Sequence, residues 1–306
     1  MKTKLESALR NGLLFYLSIM IVPVVQFIIF YIIVNANSLM LSFKTYEIVN
    51  GQYETTFVGL ANIFNTFTEI FTTKFFLNTW KNSILFYLYG LIGGTIFSLS
   101  FSYYIYKKRP FSGFFKIMLY LPHIVSTMVI TILYKYCVEL LYPRVMLTVF
   151  GLEVEGFGAV AETQIYFILF FNLLMSFGAN MMIYTGTMAG ISDSIIEAAQ
   201  IDGVNVFQEF FYVIMPTIFS TFALFIVTGM LGIFNGQGGL FNFYGLDAPE
   251  GLQTFGYYMF VKVKNAGVNY AKYPPLASLG LVLTFIAIPI VFTGRYFINK
   301  YGPSEE

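Results

Sequence analysis

Groups able to do covalent chemistry are few and scattered. The 306-residue chain holds one histidine, His123, and one cysteine, Cys137. They build neither a conventional catalytic triad nor a His-rich metal site, and a single cysteine leaves no intrachain disulfide. The sequence offers hydrogen bonding in apolar surroundings instead: His123, Ser126 and Thr127, then Asn172, Ser176 and Asn180, then Thr228 and Asn235. Asn172, Ser176 and Asn180 recur every four residues, as do His123 and Thr127, so each set shares a helix face. Polar groups in such surroundings are costly and tend to face a bundle interior or a cavity. This is chemistry for holding an uncharged polar solute. The competing role is hydrogen bonding between neighbouring helices.

A second polar feature stands between two long apolar runs. It is Glu197-Ala198-Ala199-Gln200-Ile201-Asp202-Gly203, closed by Met215-Pro216. Ser194-Ile195-Ile196-Glu197 has the form of a capping box. Gly203 is suited to stop the helix in the left-handed conformation. Asn205-Val206-Phe207-Gln208 reads as a second helix start, and Pro216 suits the first turn of the next long helix. Two short helices joined by a bend are the expectation.

The elements that position these residues follow from composition. The chain is 57% hydrophobic and 11% charged, against about 25% charged in a soluble domain. Mean hydropathy is +0.72. The chain reads as an all-α integral membrane protein and not a nucleic-acid binder. Six runs are long and apolar enough to span a bilayer: Leu13–Val34, Ile84–Tyr106, Phe114–Cys137, Gln164–Gly190, Thr217–Asn235 and Leu276–Ile298. The first is too long for a secretory signal core and lacks a small-residue cleavage site, so it reads as a retained span. Lys2, Lys4 and Arg10, with Lys107-Lys108-Arg109 and Lys116, set those sides as cytoplasmic. Both termini are then cytoplasmic. The 194–216 loop holds no Lys or Arg, so counting spans is what places it inside.

The loops between spans carry further expectations. Residues 35–82 form a long outer loop with a short interfacial helix around Asn62–Phe76. Glu139–Glu162 is moderately polar, and Gly236-Gln237-Gly238-Gly239 turns the chain after span five. Gly90-Leu91-Ile92-Gly93-Gly94 in span two allows close helix approach, either to a partner chain or within the subunit. The sequence holds no Gly-x-x-x-x-Gly-Lys-Ser/Thr phosphate loop. The expected domain is single, 1–306, with a core of about 79–298 on which span 13–34 and loop 35–82 pack.

The polar loop resembles a family pattern: Glu-Ala-Ala, three residues, Gly, nine residues, Ile-x-Leu-Pro. Here it stands as Glu197-Ala198-Ala199, Gly203 and Val213-Ile214-Met215-Pro216. It is similar to the cytoplasmic loop of bacterial ABC-importer permeases, and the fuller string resembles the carbohydrate-uptake, maltose-type branch. Ser42-Phe43-Lys44, Phe57-Val58-Gly59-Leu60-Ala61-Asn62, Asn78-Thr79, Leu121-Pro122 and Gly236–Gly239 extend the likeness over most of the chain. The resemblance implies a type I importer permease fold in a bacterial plasma membrane, and a non-enzymatic subunit for sugar or oligosaccharide import. It implies that Ser194, Glu197, Ala198, Ala199, Asp202 and Gly203 couple to the ATPases. It implies as partners a second homologous permease, two ABC ATPase subunits that carry ATP and Mg, an extracellular solute-binding (lipo)protein and the carbohydrate itself. Counting from the motifs puts His123, Thr127 and Asn172 at solute-contact positions. On span five, Gly232, Ile233 and Gly236 replace larger groups, so Phe234 or Asn235 would have to substitute. The expected substrate path is therefore His123, Thr127, Asn172, Ser176 and Asn235, with no catalytic or metal residue. Where relatives carry basic residues in the second loop helix, this chain is acidic, which leaves the polarity of the ATPase dock open. Alternatives are an importer for another polar solute, such as a glycerophosphodiester, or a secondary transporter. A secondary transporter would show paired broken helices or buried ionisable residues.

Overall fold

The computed structural model describes residues 2–49, 52–160 and 162–303, and the architecture is helical with one small hairpin. Among the described residues four continuous helices are long and apolar enough to cross a membrane: Phe15–Leu41, Lys74–Tyr106, Gln164–Ala189 and Tyr270–Tyr301. Two bent pairs, Ser112–Ile124 with Thr127–Phe150 and Val206–Thr217 with Phe219–Asn235, complete a count of six if each pair is one span. The chain divides into two compact units. One combines the residues up to Ile70 with Lys262–Leu283, and the other combines Phe71–Val261 with the residues from Thr284 on.

In the first unit, span one has an apolar window none of which is buried within the chain. An element apolar all round is one built for lipid or for another chain. Next comes an antiparallel hairpin, β1 (Lys44–Val49) paired with β2 (Gln52–Phe57), in register from Lys44 opposite Phe57 to Val49 opposite Gln52. The loop expectation contained no hairpin. Its signal was in the sequence: Asn50-Gly51, a preferred two-residue turn, between two runs rich in Thr, Tyr, Ile and Val. The Asn62 amide donates to the carbonyls of Ser42 (3.2 Å) and Lys44 (2.8 Å), tying the hairpin to the helix Ala61–Thr72.

The second unit holds spans two to five. Span two begins at Lys74, ten residues before the hydropathy run, because its first turns pack as an aromatic surface. Phe76 and Trp80 stack and edge onto Phe255 at ring distances of 6.2 and 4.7 Å. Small residues recur every four positions along span two, at Gly94, Ser98 and Ser102, and that stripe faces span four. A Cβ on Gly94 would lie 3.3 Å from the Ser176 hydroxyl, and one on Gly93 would lie 3.0 Å from Leu173. The Ser102 hydroxyl reaches the Met181 carbonyl at 2.9 Å. Of the two roles open to the glycine run, Gly93 and Gly94 take packing within the subunit. Span four meets span three just as closely, since a Cβ on Gly178 would overlap the Leu119 carbonyl.

Two expectations about continuity are corrected. Span three is not one helix over 114–137: it breaks at Val125-Ser126, both extended, and its halves meet at 101°. Pro122 has no amide to bond back into the preceding turn, which weakens the helix just before the break. Pro216 does not open span five either. It lies in the last turn of Val206–Thr217, and the chain bends by 70° at Ile218 before span five starts at Phe219.

Candidate functional site

The polar loop folds as two short helices, Asp193–Ile201 and the helix Val206–Thr217. The first starts after Ser192, with no side-chain cap on its first amides and no Ser194–Glu197 box. Ser192 has the extended backbone of an N-cap, and its hydroxyl pairs with that of Ser194 at 2.6 Å. The capping box is at the second start, where Asn205 Oδ1 accepts from the amides of Phe207 and Gln208, both at 3.0 Å. Gln208 Oε1 accepts from the Asn205 amide at 2.9 Å. Between the helices Gly203 is left-handed at φ +74°, as expected. The Gly203 amide bonds to Gln200 O and the Val204 amide to Ala199 O, a Schellman closure that satisfies the helix's last carbonyls.

The first helix has two faces. Ile196 and Ala199 are buried, and Ile196 joins Leu99, Tyr184, Met188, Ile191, Ile214 and Ile218 in one apolar core. Ser194, Glu197, Ala198, Asp202 and Gly203 are exposed. The alanine pair is thus split, with Ala198 outward and Ala199 inward. Next to the exposed polar residues stand apolar ones the motif did not single out: Ile201 is 86% exposed and Phe207 76%.

Sequence reasoning missed Glu209. It is 4% exposed, and its carboxylate is held by Lys107 Nζ at 2.6 Å to one oxygen and 2.9 Å to the other. The Tyr103 hydroxyl lies 3.2 Å from Glu209 Oε1 and 3.3 Å from the Val206 carbonyl. Lys107 ends span two. The lysine that served as a topology signal is therefore also the counter-ion of the acidic loop. The pair sets the 194–216 loop and the 107–109 loop on one face of the protein, independently of any count of spans. The hint in the sequence was one carboxylate entering an aromatic run, Glu209-Phe210-Phe211-Tyr212, since charge is scarcely ever buried unpaired.

Farther into the second unit lies a cavity of about 420 Å³, within the usual size range of small-ligand sites. Its polar lining residues are Tyr87, Tyr89, Thr95, Asn172, Ser176, Asn180 and Thr228, and none of its lining residues is charged. The Asn172 amide nitrogen donates to Ile168 O (2.8 Å) and to Gly238 O (2.9 Å), so it also ties down the turn after span five. That turn needs its glycines: Gly238 and Gly239 are both left-handed, and a Cβ on Gly238 would meet the Phe86 ring at 3.0 Å. Asn180 lines the cavity and has no hydrogen-bond partner among the described residues. Gly232 and Gly236 line the cavity as well. On span five the missing side chains make space.

The cavity gathers Asn172 and Ser176 from the expected path and does not include the other three. The bend in span three separates His123 from Thr127, so they no longer share a helix face; both are exposed. The His123 ring lies near Tyr120 and beside Gly178. Asn235 is exposed at the end of span five.

No family model matches the chain. Similarity appears chain by chain. The probable ABC transporter permease protein YurN of Bacillus subtilis (strain 168) is 27% identical over 213 residues, 68% of this chain and 70% of that protein. The arabinooligosaccharides transport system permease protein AraP of Halalkalibacterium halodurans is 24% identical over 260 residues, covering 83% and 79%. Among solved structures, a bacterial ABC transporter involved in import of the acidic polysaccharide alginate aligns at 19% identity with a TM-score of 0.78, over 97% of this chain and 99% of that one. The bacterial alginate ABC transporter in complex with an alginate pentasaccharide-bound periplasmic protein aligns with a TM-score of 0.74 at 20% identity, over 96% and 95%. The fold is that of an ABC importer's membrane subunit. The resemblance read from residues 194–216 therefore stands, and the curated relatives it points to are permeases.

Proposed function

We propose that this chain is the permease subunit of an ATP-driven, binding-protein-dependent importer of uncharged saccharides. One observation carries the reading. A capped two-helix loop is ion-paired to the end of span two and bends directly into span five, and both of those spans line an uncharged polar cavity. Such a loop can turn force at its exposed face into movement of the cavity walls.

The remaining roles fall to other chains and to orientation. ATP and Mg are bound by two ATPase subunits that receive the first loop helix through Ser194, Glu197, Ala198, Asp202 and Gly203. A second, homologous permease completes the path, and an extracellular solute-binding protein delivers the saccharide. The solved alginate transporter with a loaded periplasmic protein supports that assembly. The basic 107–109 loop, bonded to the coupling loop, supports a cytoplasmic location for both, with both termini on that side of a bacterial plasma membrane. Alternating access follows if the solute and ATP favour different states of the spans.

The test is reconstitution of this chain with its partner permease, ATPase and binding protein in proteoliposomes. Neutral oligosaccharides should stimulate ATP hydrolysis. Stimulation by sn-glycerol-3-phosphate or an acidic oligosaccharide alone would overturn the uncharged-solute reading.

A further inference from the structure

The Lys107–Glu209 pair lies outside both the Ser194–Gly203 segment and the cavity. Its geometry concerns how force leaves the loop. The first loop helix is joined to the second by the Gly203 turn and the Asn205 cap, and the second bends into span five. Those ties run from the loop to span five alone. Glu209 is the first residue of a stretch of wide (π) turns, Glu209–Ile214. Such turns are common at functional positions. From there its carboxylate takes Lys107 and Tyr103, one turn apart at the end of span two, while Tyr103 packs its ring on Phe210 at 5.1 Å. Span two lines the cavity too, through Phe86, Tyr87 and Gly90, and packs on span five there, where a Cβ on Gly229 would lie 2.9 Å from the Tyr87 ring.

We propose that Glu209 is a positioning residue: with Lys107 and Tyr103 it clamps the coupling loop to span two, so that spans two and five move together. The proposal rests on the coupling role given to the loop above. Glu209 is buried and Lys107 half-buried, and a buried carboxylate is costly to leave without its partner. The clamp therefore stays closed through the transport cycle, and its work is to keep ATP hydrolysis tied to solute movement.

The experiment uses the complete reconstituted complex and measures ATP hydrolysed per solute moved. Glu209→Gln should raise that ratio about tenfold, the scale of a site-to-site coupling energy, and Tyr103→Phe should raise it less. Exchanging the charges in Lys107→Glu/Glu209→Lys should bring the ratio back toward the wild-type value, which a loss of general stability would not do. A wild-type ratio in Glu209→Gln overturns the clamp. So does failure of both Glu209→Gln and the exchanged pair to assemble, which would make the pair a folding requirement only. A wild-type complex without ATP-driven uptake is a separate failure: it removes the importer reading and the clamp with it.

Discussion

The two ends of the second unit are built differently. The end holding residues 236–257 is sealed. Phe167, Ile168, Phe171, Leu240, Phe243 and Tyr257 form one buried aromatic and aliphatic core. Its backbone is tied by side chains: Asn82 donates to Gly251 O and Gln253 O, Thr254 to Gly236 O, and Tyr257 to Gly245 O. The coupling end has its own core beneath Ile196, yet Ile201, Phe207, Phe211 and Tyr212 stand exposed above it. One end is closed over by its own chain, and the other keeps large apolar side chains on its surface. The difference teaches where substitutions should cost folding and where they should cost coupling.

The largest expected effect uses one substitution at both ends. A Cβ on Gly256 would overlap the Asn235 carbonyl, with no flexible side chain to move aside. Gly256→Ala should therefore cost about 3 kcal/mol or more, the upper part of the range for overpacking. Gly203→Ala meets nothing within 4 Å and pays only for its positive φ, about 1–2 kcal/mol. Thermal unfolding of the purified chain in detergent should rank Gly256→Ala well below Gly203→Ala. Gly203→Val should still assemble and lose transport, whereas Gly203→Asn should retain it, since Asn tolerates the left-handed region. Equal stability of the two alanine variants would break the contrast.

A smaller effect separates structure from solute contact within the cavity. Asn172→Leu removes the tie to Gly238 and a polar wall group together, so stability and uptake should both fall. The lost hydrogen bond contributes about 1 kcal/mol. Asn180→Leu removes a group without a partner among the described residues. It should leave thermal stability unchanged and weaken solute stimulation of ATP hydrolysis about tenfold, the cost of one hydrogen bond in a buried site. Unaltered stimulation in Asn180→Leu would take span four's lower half out of the path.

Much of this arrangement was legible in the residues, and what was not has a common cause. The spans are composition and length, and the bend at Gly203 and the cap at Asn205 are local chemistry written within four residues. The break in span three was half legible: Pro122 announces a weak turn, but the chain yields at Val125-Ser126. The helix start was misplaced by two residues, and the expected cap is absent because the Ser192 and Ser194 hydroxyls pair with each other. On span four, where spacing fixes the face, Asn172, Ser176 and Asn180 all line the cavity. It was not legible on span five, where glycines line it and offer no side chain to notice. The Lys107–Glu209 bond joins residues 102 positions apart, and no local pattern reports a partner at that distance.

The smallest predicted effect gives the finest test of the two ends, because it removes a single methylene from each. Ile168 is 0% exposed in the sealed core, and Ile201 is 86% exposed on the coupling loop. Ile168→Val should lower folding stability by about 0.5–1.5 kcal/mol and leave assembly with the ATPase alone. Ile201→Val should leave folding stability unchanged, since the methylene is wet in the isolated chain. If a partner covers that side chain, the lost burial is about 0.8 kcal/mol, or roughly a fourfold weaker affinity for the ATPase. Binding titrations of the detergent-solubilised permease against the ATPase resolve a fourfold change. No change would mean that the partner leaves Ile201 uncovered, and the exposed polar residues of the first loop helix would then form the dock alone.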